Sequence, residues 1–211
     1  MPRAKKSRTY HHGDLREALV TAAVALLEEK GLASFTLREC ARRAGVSHAA
    51  PAHHFASAGD LLAEIAARGF ERFVLALGEA ADAAGAAPAL RLAAMGRAYV
   101  AFALANPAVY GLMFRGGAGT LQSPHLRTAA TAAWQQLCDG VAAALGPARQ
   151  DEVTSKAAAV WALVHGTATL MLDRKLPPAA GIRVASSLPI AMARFASCPI
   201  TLRSPPGRLS A

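Results

Sequence analysis

Apolar positions along this chain recur every three or four residues and nowhere settle into strand-like alternation. Leu15, Ala18, Leu19, Ala22 and Leu26 form one stripe, with Arg16, Glu17 and Glu28 opposite, and Gly31 stands where such a helix stops. Thr36 followed by Glu39 has the form of a capping box, the hydroxyl taking an orphan amide and the carboxylate reaching back. Behind it Leu37, Cys40, Ala41 and Ala44 fall on one side and Arg38, Arg42 and Arg43 on the other, as far as Gly45. Ser47 is placed to cap a third, short helix that carries Pro51 in its first turns, where a missing amide costs little. Ser57 and Asp60 repeat the cap signature ahead of a longer helix through Leu61, Leu62, Ile65, Phe70 and Phe73. Residues 80–88, rich in Ala and Gly, read as a loop. The pattern then predicts helices over 89–105, 110–114, 124–145 and 150–173, and a last one ending near Ala196 after a break at 177–181. The fold class expected is all-α.

Composition narrows the function classes. The chain has 211 residues, 53% of them hydrophobic, enough for a sizeable core, and a net charge of +9, which favours a polyanionic partner. Residues 1–60 hold nine Lys/Arg against six Asp/Glu, so charge alone does not locate a binding face. Cys40, Cys138 and Cys198 lie far apart, without disulfide or zinc-ribbon spacing, and a reducing cytoplasm is the expectation. No secretory leader is visible. The uncharged run 157–172 has 16 residues, short of the about 20 that span a bilayer, so a buried helix and no membrane are expected. His53 and His54 are neighbours and do not share a helix face, so no metal or other cofactor is expected. No nucleophile elbow, P-loop or dinucleotide fingerprint occurs, which argues against an enzyme.

The stretch "LREALVTAAVALLEEKGLASFTLRECARRAGVSHAAPAHHF", with "LLAEIAARGF" after it, resembles the DNA-binding region of the tetracycline-repressor-like (TetR) regulators. Helix stripe, Gly stop, capping residues, Gly-Val-Ser turn and terminal His-Phe come in that order. The lead-in "YHHGDLREAL" resembles one branch of the family, and "VWALVHGTATLML" resembles the Trp…His-Gly element of a C-terminal subgroup. The resemblance implies a basic arm over 1–12, a three-helix helix–turn–helix unit over 13–60, a C-terminal helical ligand-binding and dimerisation domain over 61–198, and a tail over 199–211. It further implies a homodimeric regulator, expected to be a repressor, that binds a palindromic, double-stranded operator and responds to a small-molecule effector. Two positions depart from the family pattern. Ala52 replaces a usual Tyr and Ala58 a usual Lys, both phosphate contacts, and neither loss harms the fold because Ala is the best helix former. The alternative is therefore a TetR-like dimer with weakened operator binding that acts through protein contacts.

Candidate residues follow. Lys5, Lys6 and Arg8 of the arm, Thr36 and Ser47 with their helix-terminal amides, and His53 and His54 are candidates for phosphate. His48, Ala49, Ala50 and His53 are candidates for base edges, since His donates to guanine acceptors and Ala methyls meet thymine methyls. Phe102, Tyr110, Met113, Phe114, Trp134, Trp161, His165 and Met171 are candidates to line an apolar effector pocket. The helix over 150–173 is apolar nearly all round, which assigns Val153, Ala157, Val160, Val164 and Gly166 to a two-fold interface.

Overall fold

A computed structural model of the chain describes residues 12–115 and 123–176, with side chains from residue 15 to 114 and from 123 on. Seven α-helices occupy these residues, and no strand occurs among them. They are α1 (His12–Lys30), α2 (Leu37–Arg43), α3 (Ala58–Ala83), α4 (Pro88–Ala105), α5 (Pro107–Arg115), α6 (Pro124–Leu145) and α7 (Val153–Leu172). The arm, the expected last helix and the tail lie outside the described residues.

Caps set most boundaries. The Thr36 hydroxyl accepts from the Glu39 amide at 3.2 Å, Ser57 from Asp60 at 3.1 Å and Ser123 from Leu126 at 3.0 Å. The reciprocal half of the first capping box is not made. Glu39 instead takes Lys30 at 3.1 Å and Arg42 at 2.7 and 2.8 Å, because two cations outcompete one neutral amide for its carboxylate. Gly31 and Gly45 have φ of 71° and 69°, the left-handed backbone that ends α1 and α2. The expected loop over 80–88 shrinks to 84–87, since α3 runs on to Ala83 through residues with high helix propensity. Pro107 opens α5 earlier than expected, and a 3₁₀ segment, Pro147–Glu152, takes the residues that were expected to start α7.

Helix α3 organises the rest. It packs most extensively on α4 and α6, and it crosses the expected domain boundary without a linker. Its first half joins a core with α1 and α2 that includes Leu19, Ala23, Leu27, Cys40, Phe55 and Leu61. Its second half joins a separate core with α4 and α7 that includes Phe73, Tyr99, Phe102, Tyr110, Val160 and Val164. Met113, Phe114 and Ala133 pack against both. Cys40 is fully buried, its thiol 3.5 Å from the Leu19 carbonyl oxygen, and burial pushes that thiol up to about 11, so it behaves as a small core residue.

Candidate nucleic-acid interface and effector cavity

The segment after Gly45 folds differently from expectation. Only Ala50–His53 is helical, as a single 3₁₀ turn preceded by Ala49, and no side chain caps it. Ser47 contributes its carbonyl, not its hydroxyl, accepting from the Ala50 amide at 3.0 Å. Pro51 is the reason. It is fully buried, anchoring the turn on the core, and its carbonyl accepts the amides of His54 at 2.9 Å and Phe55 at 2.8 Å. Ser47, His48, Ala49, Ala52 and His53 are left exposed around this anchor, Ala50 and His54 are half-buried, and Thr36 is exposed at the start of α2. A short element of this kind, presented by two supporting helices, has the dimensions to meet a DNA groove. Lys5, Lys6 and Arg8 fall outside the described residues.

Two of the three arginines on the outer side of α2 are already partnered. Arg42 pairs with Glu39 at 2.7 Å and Arg43 with Glu29 at 2.6 Å, whereas Arg38 makes no ion pair among the described residues. The Arg42 guanidinium, and then the Lys30 ammonium, hold Glu39 down at about 2. Exposed pairs contribute little net free energy, so exchanging a carboxylate for a phosphate costs these arginines little.

Above this head, a cavity of about 210 Å³ lies among α3, α4, α6 and α7. Phe70, Phe73 and Leu77 of α3 form one side, Met95 and Tyr99 of α4 another, and Ala130, Ala133, Trp134 and Leu137 of α6 the third. Phe114, Val160, Trp161 and Val164 complete the wall. The rings meet edge to face: Phe73 and Tyr99 at 5.1 Å and 87°, Trp134 and Trp161 at 6.1 Å and 64°. Rigid rings facing alanines across a helix interface leave a void, because neither can deform to fill it.

Of the sequence candidates, Phe114, Trp134 and Trp161 line the cavity. The others do not. Phe102 and Tyr110 are core residues behind the wall, Met113 packs beside Gly69 between the two cores, and Met171 packs on the second core. His165 stands behind Tyr99, its Nδ1 2.8 Å from the Tyr99 hydroxyl and 2.9 Å from that of Tyr110, the two phenols being 3.3 Å apart. Burial pushes the Tyr99 hydroxyl well above the ordinary phenol range, so it stays neutral. Phe70, Phe73, Leu77, Met95 and Tyr99 were missed from sequence. The α3 stripe read from sequence carries two of them, Phe70 and Phe73, but it is the same stripe that any core helix shows.

The interface assignment on α7 is corrected. Ala157, Val160 and Val164 are 0%, 1% and 3% exposed within the subunit, turned toward α4 and α6, so they offer nothing to a second chain. Val153 is partly buried against the same core. The open side of α7 carries Ala158, Trp161, Ala162 and Leu170 instead, and a Cβ added at Gly166 would meet nothing within 4 Å among the described residues.

A family model described as bacterial regulatory proteins, tetR family, matches residues 19–65, and one described as tetracyclin repressor-like, C-terminal domain, matches residues 92–194. No curated protein matches the chain. Among solved structures, a protein of unknown function from Rhodococcus sp. RHA1 is 34% identical, with a TM-score of 0.77 over 89% of this chain and 98% of its own. The TetR family transcriptional regulator PfmR from Thermus thermophilus is 21% identical, with a TM-score of 0.62 over 84% of this chain and 96% of that one. The multidrug binding protein EbrR, complexed with imidazole, is likewise 21% identical, with a TM-score of 0.59 over 88% and 97%. The last two likenesses are of fold.

Proposed function

This chain belongs to the tetR family of bacterial regulatory proteins, which are transcriptional regulators and not enzymes, and from that premise we propose that it is an effector-released repressor acting as a homodimer on a palindromic operator. The observation that carries the effector part is the apolar cavity against α3, the helix that continues unbroken into the DNA-reading head. Its chemistry selects the guest. No carboxylate, Lys or Arg lines it, so a charged molecule would leave its ion unpaired. An apolar cavity of about 150 Å³ holds a benzene, so about 210 Å³ takes roughly one ring or two fused rings. The effector is a small neutral aromatic molecule.

The head reads DNA with His48, Ala49, Ala50 and His53, and holds phosphate with Thr36, Ser47, His54, the arm residues Lys5, Lys6 and Arg8, and the arginines of α2. Two heads reach successive major-groove faces when two copies join along the open side of α7. A cytoplasmic location goes with this reading; no single described helix is long and apolar enough to cross a membrane.

The test is an operator selected from random duplexes, then titrated across salt concentration with and without saturating 2-naphthol. The expected results are a linear loss of log affinity with log salt, weaker binding in the presence of the probe, and quenching of Trp134 and Trp161 fluorescence as the cavity fills. Binding that stays indifferent to sequence would favour the second reading, a dimer that works through protein contacts. The exposed methyl of Ala52 and the single-turn recognition element speak for that reading.

A further inference from the structure

A buried carboxylate joins the head to the cavity. Glu64, on α3, has a side chain only 10% exposed and accepts from three helices. On Oε1 it takes Arg16 of α1 at 2.7 Å and Arg68 of α3 at 2.7 Å; on Oε2 it faces His125 Nδ1 of α6 at 3.2 Å. The other ring nitrogen of His125 is 2.7 Å from Glu71 Oε1, two turns further along α3. Arg68 also clasps Glu17 of α1 through both oxygens, at 2.6 and 2.7 Å. The Arg16 guanidinium lies over the Phe55 ring, 5.1 Å from its centre, and Phe55 closes the DNA-reading turn.

The placement of His125 gives this chain of contacts a use. It sits in the first turn of α6, and the cavity wall residues Ala130, Ala133, Trp134 and Leu137 follow on the same helix. At 1.5 Å per residue, His125 and Ala133 are about 12 Å apart on one stiff rod. A guest that enters between α3 and α6 moves that rod against α3. His125 pins its end to the same carboxylate that holds Arg16. Charge-assisted bonds are short and directional, so a turn of the Glu64 carboxylate is felt by Arg16 and by the ring under it.

We infer that Arg16 and His125, held on opposite oxygens of Glu64, are the positioning residues that carry movement of α6 at the cavity to the DNA-reading turn. The inference rests on the effector reading above, and names the route by which occupancy of that cavity reaches the head. A second mechanical route exists, α3 itself, which is continuous from Ala58 to Ala83. The experiment must separate the two.

Amide hydrogen exchange on the full chain does so without a known effector. Ala133→Phe fills the cavity from α6 and stands in for a guest; Ala130→Leu replaces it if that variant melts. The amides of His54 and Phe55, which close the turn on the Pro51 carbonyl, are the readout. With His125 in place, filling the cavity speeds their exchange at least fivefold, the lower end of ordinary allosteric coupling. In a His125→Ala background the same filling changes them less than twofold, while exchange in α6 around residues 130–137 still responds. An equal acceleration in both backgrounds overturns the inference in favour of α3, and no acceleration in either overturns it outright. A parallel titration on the selected operator keeps the two levels apart. If the turn responds through His125 but the wild-type chain prefers no DNA sequence, the regulator reading falls and the coupling stands.

Discussion

The head and the cavity region are built from the same helix, α3, yet they are stabilised by opposite means. The head core is mostly Leu, Ala and Cys40, with α1 and α2 close enough that the Cys40 thiol reaches the backbone of Leu19. Ion pairs join its helices: Arg43 to Glu29 and Lys30 to Glu39 between α1 and α2, Arg16 to Glu64 and Arg68 to Glu17 between α1 and α3. The cavity region has no ion pair in its wall and depends on rings. Phe73 alone meets Tyr99 at 5.1 Å, Phe102 at 5.3 Å and Phe114 at 6.4 Å. Aliphatic side chains dominate the head core. Large rings against alanines leave volume over, so the other half can take in a guest. On the proposed function, the unit that presents a surface to DNA and the unit that takes in a ligand share a backbone and divide the two tasks by side-chain size.

The sharpest way to break this contrast is to remove a ring. Phe73 is 3% exposed, and Phe73→Ala should cost about 3–5 kcal/mol in urea unfolding, with the loss concentrated in α4 and α7. A loss below about 1 kcal/mol would mean the rings are not what holds that half together.

Glu64→Gln addresses the head next, and should cost about 2 kcal/mol, because Arg16, Arg68 and His125 all lose a charged acceptor. Its pH signature is specific. Arg16 above all, against the opposing effect of burial, holds the Glu64 carboxyl down at about 2, below the usual 4.5, so its contribution is whole above 4.5 and is lost as pH falls toward 2. Glu71, and then Glu64, raise His125 above the usual 6.5, so its contribution is whole below 6.5 and is lost as pH rises through the raised value. With Arg16, Glu17, Arg68 and Glu71 as the charges facing this site, the network is complete between 4.5 and 6.5. Urea midpoints measured against pH should show both limbs in wild type, whereas the variant should lose the acid limb and keep most of the His125 limb, because Glu71 remains beside the ring.

Gly69→Ala probes the seam between the two regions. A Cβ there would stand 2.7 Å from Val109 Cγ1 and 2.8 Å from Met113 Sδ, so α5 must shift, at a cost of about 1–3 kcal/mol seen as a lower melting temperature. The smallest effect belongs to the surface. Ala58→Lys, at the first residue of α3, should leave stability within about 0.5 kcal/mol and steepen the salt dependence of operator binding by about one phosphate per subunit. An unchanged slope would mean that the phosphate near this position is already neutralised by other residues.

The sequence by itself determined the all-α class, the stops at Gly31 and Gly45, the caps at Thr36 and Ser57, and the burial of Cys40. All of these are local: a 3.6-residue period, a left-handed backbone that suits Gly, a hydroxyl within reach of an amide three residues on. The family was legible for the same reason, since its head is a series of such signals in fixed order. Tertiary structure decided the rest. Pro51 became the buried pin of a 3₁₀ turn and not part of a capped helix, because the core beneath it offered a better site than an intrahelical bond it could not make. Val160 and Val164 went to the subunit's own core, and Trp161 to the cavity rim, because an apolar helix does not say which neighbour covers which side. The cavity is a volume left between α3, α4, α6 and α7, and Glu64 is a point where α1, α3 and α6 meet. A void and a meeting point are both relations between segments far apart in the chain, and no periodicity within one segment can specify them.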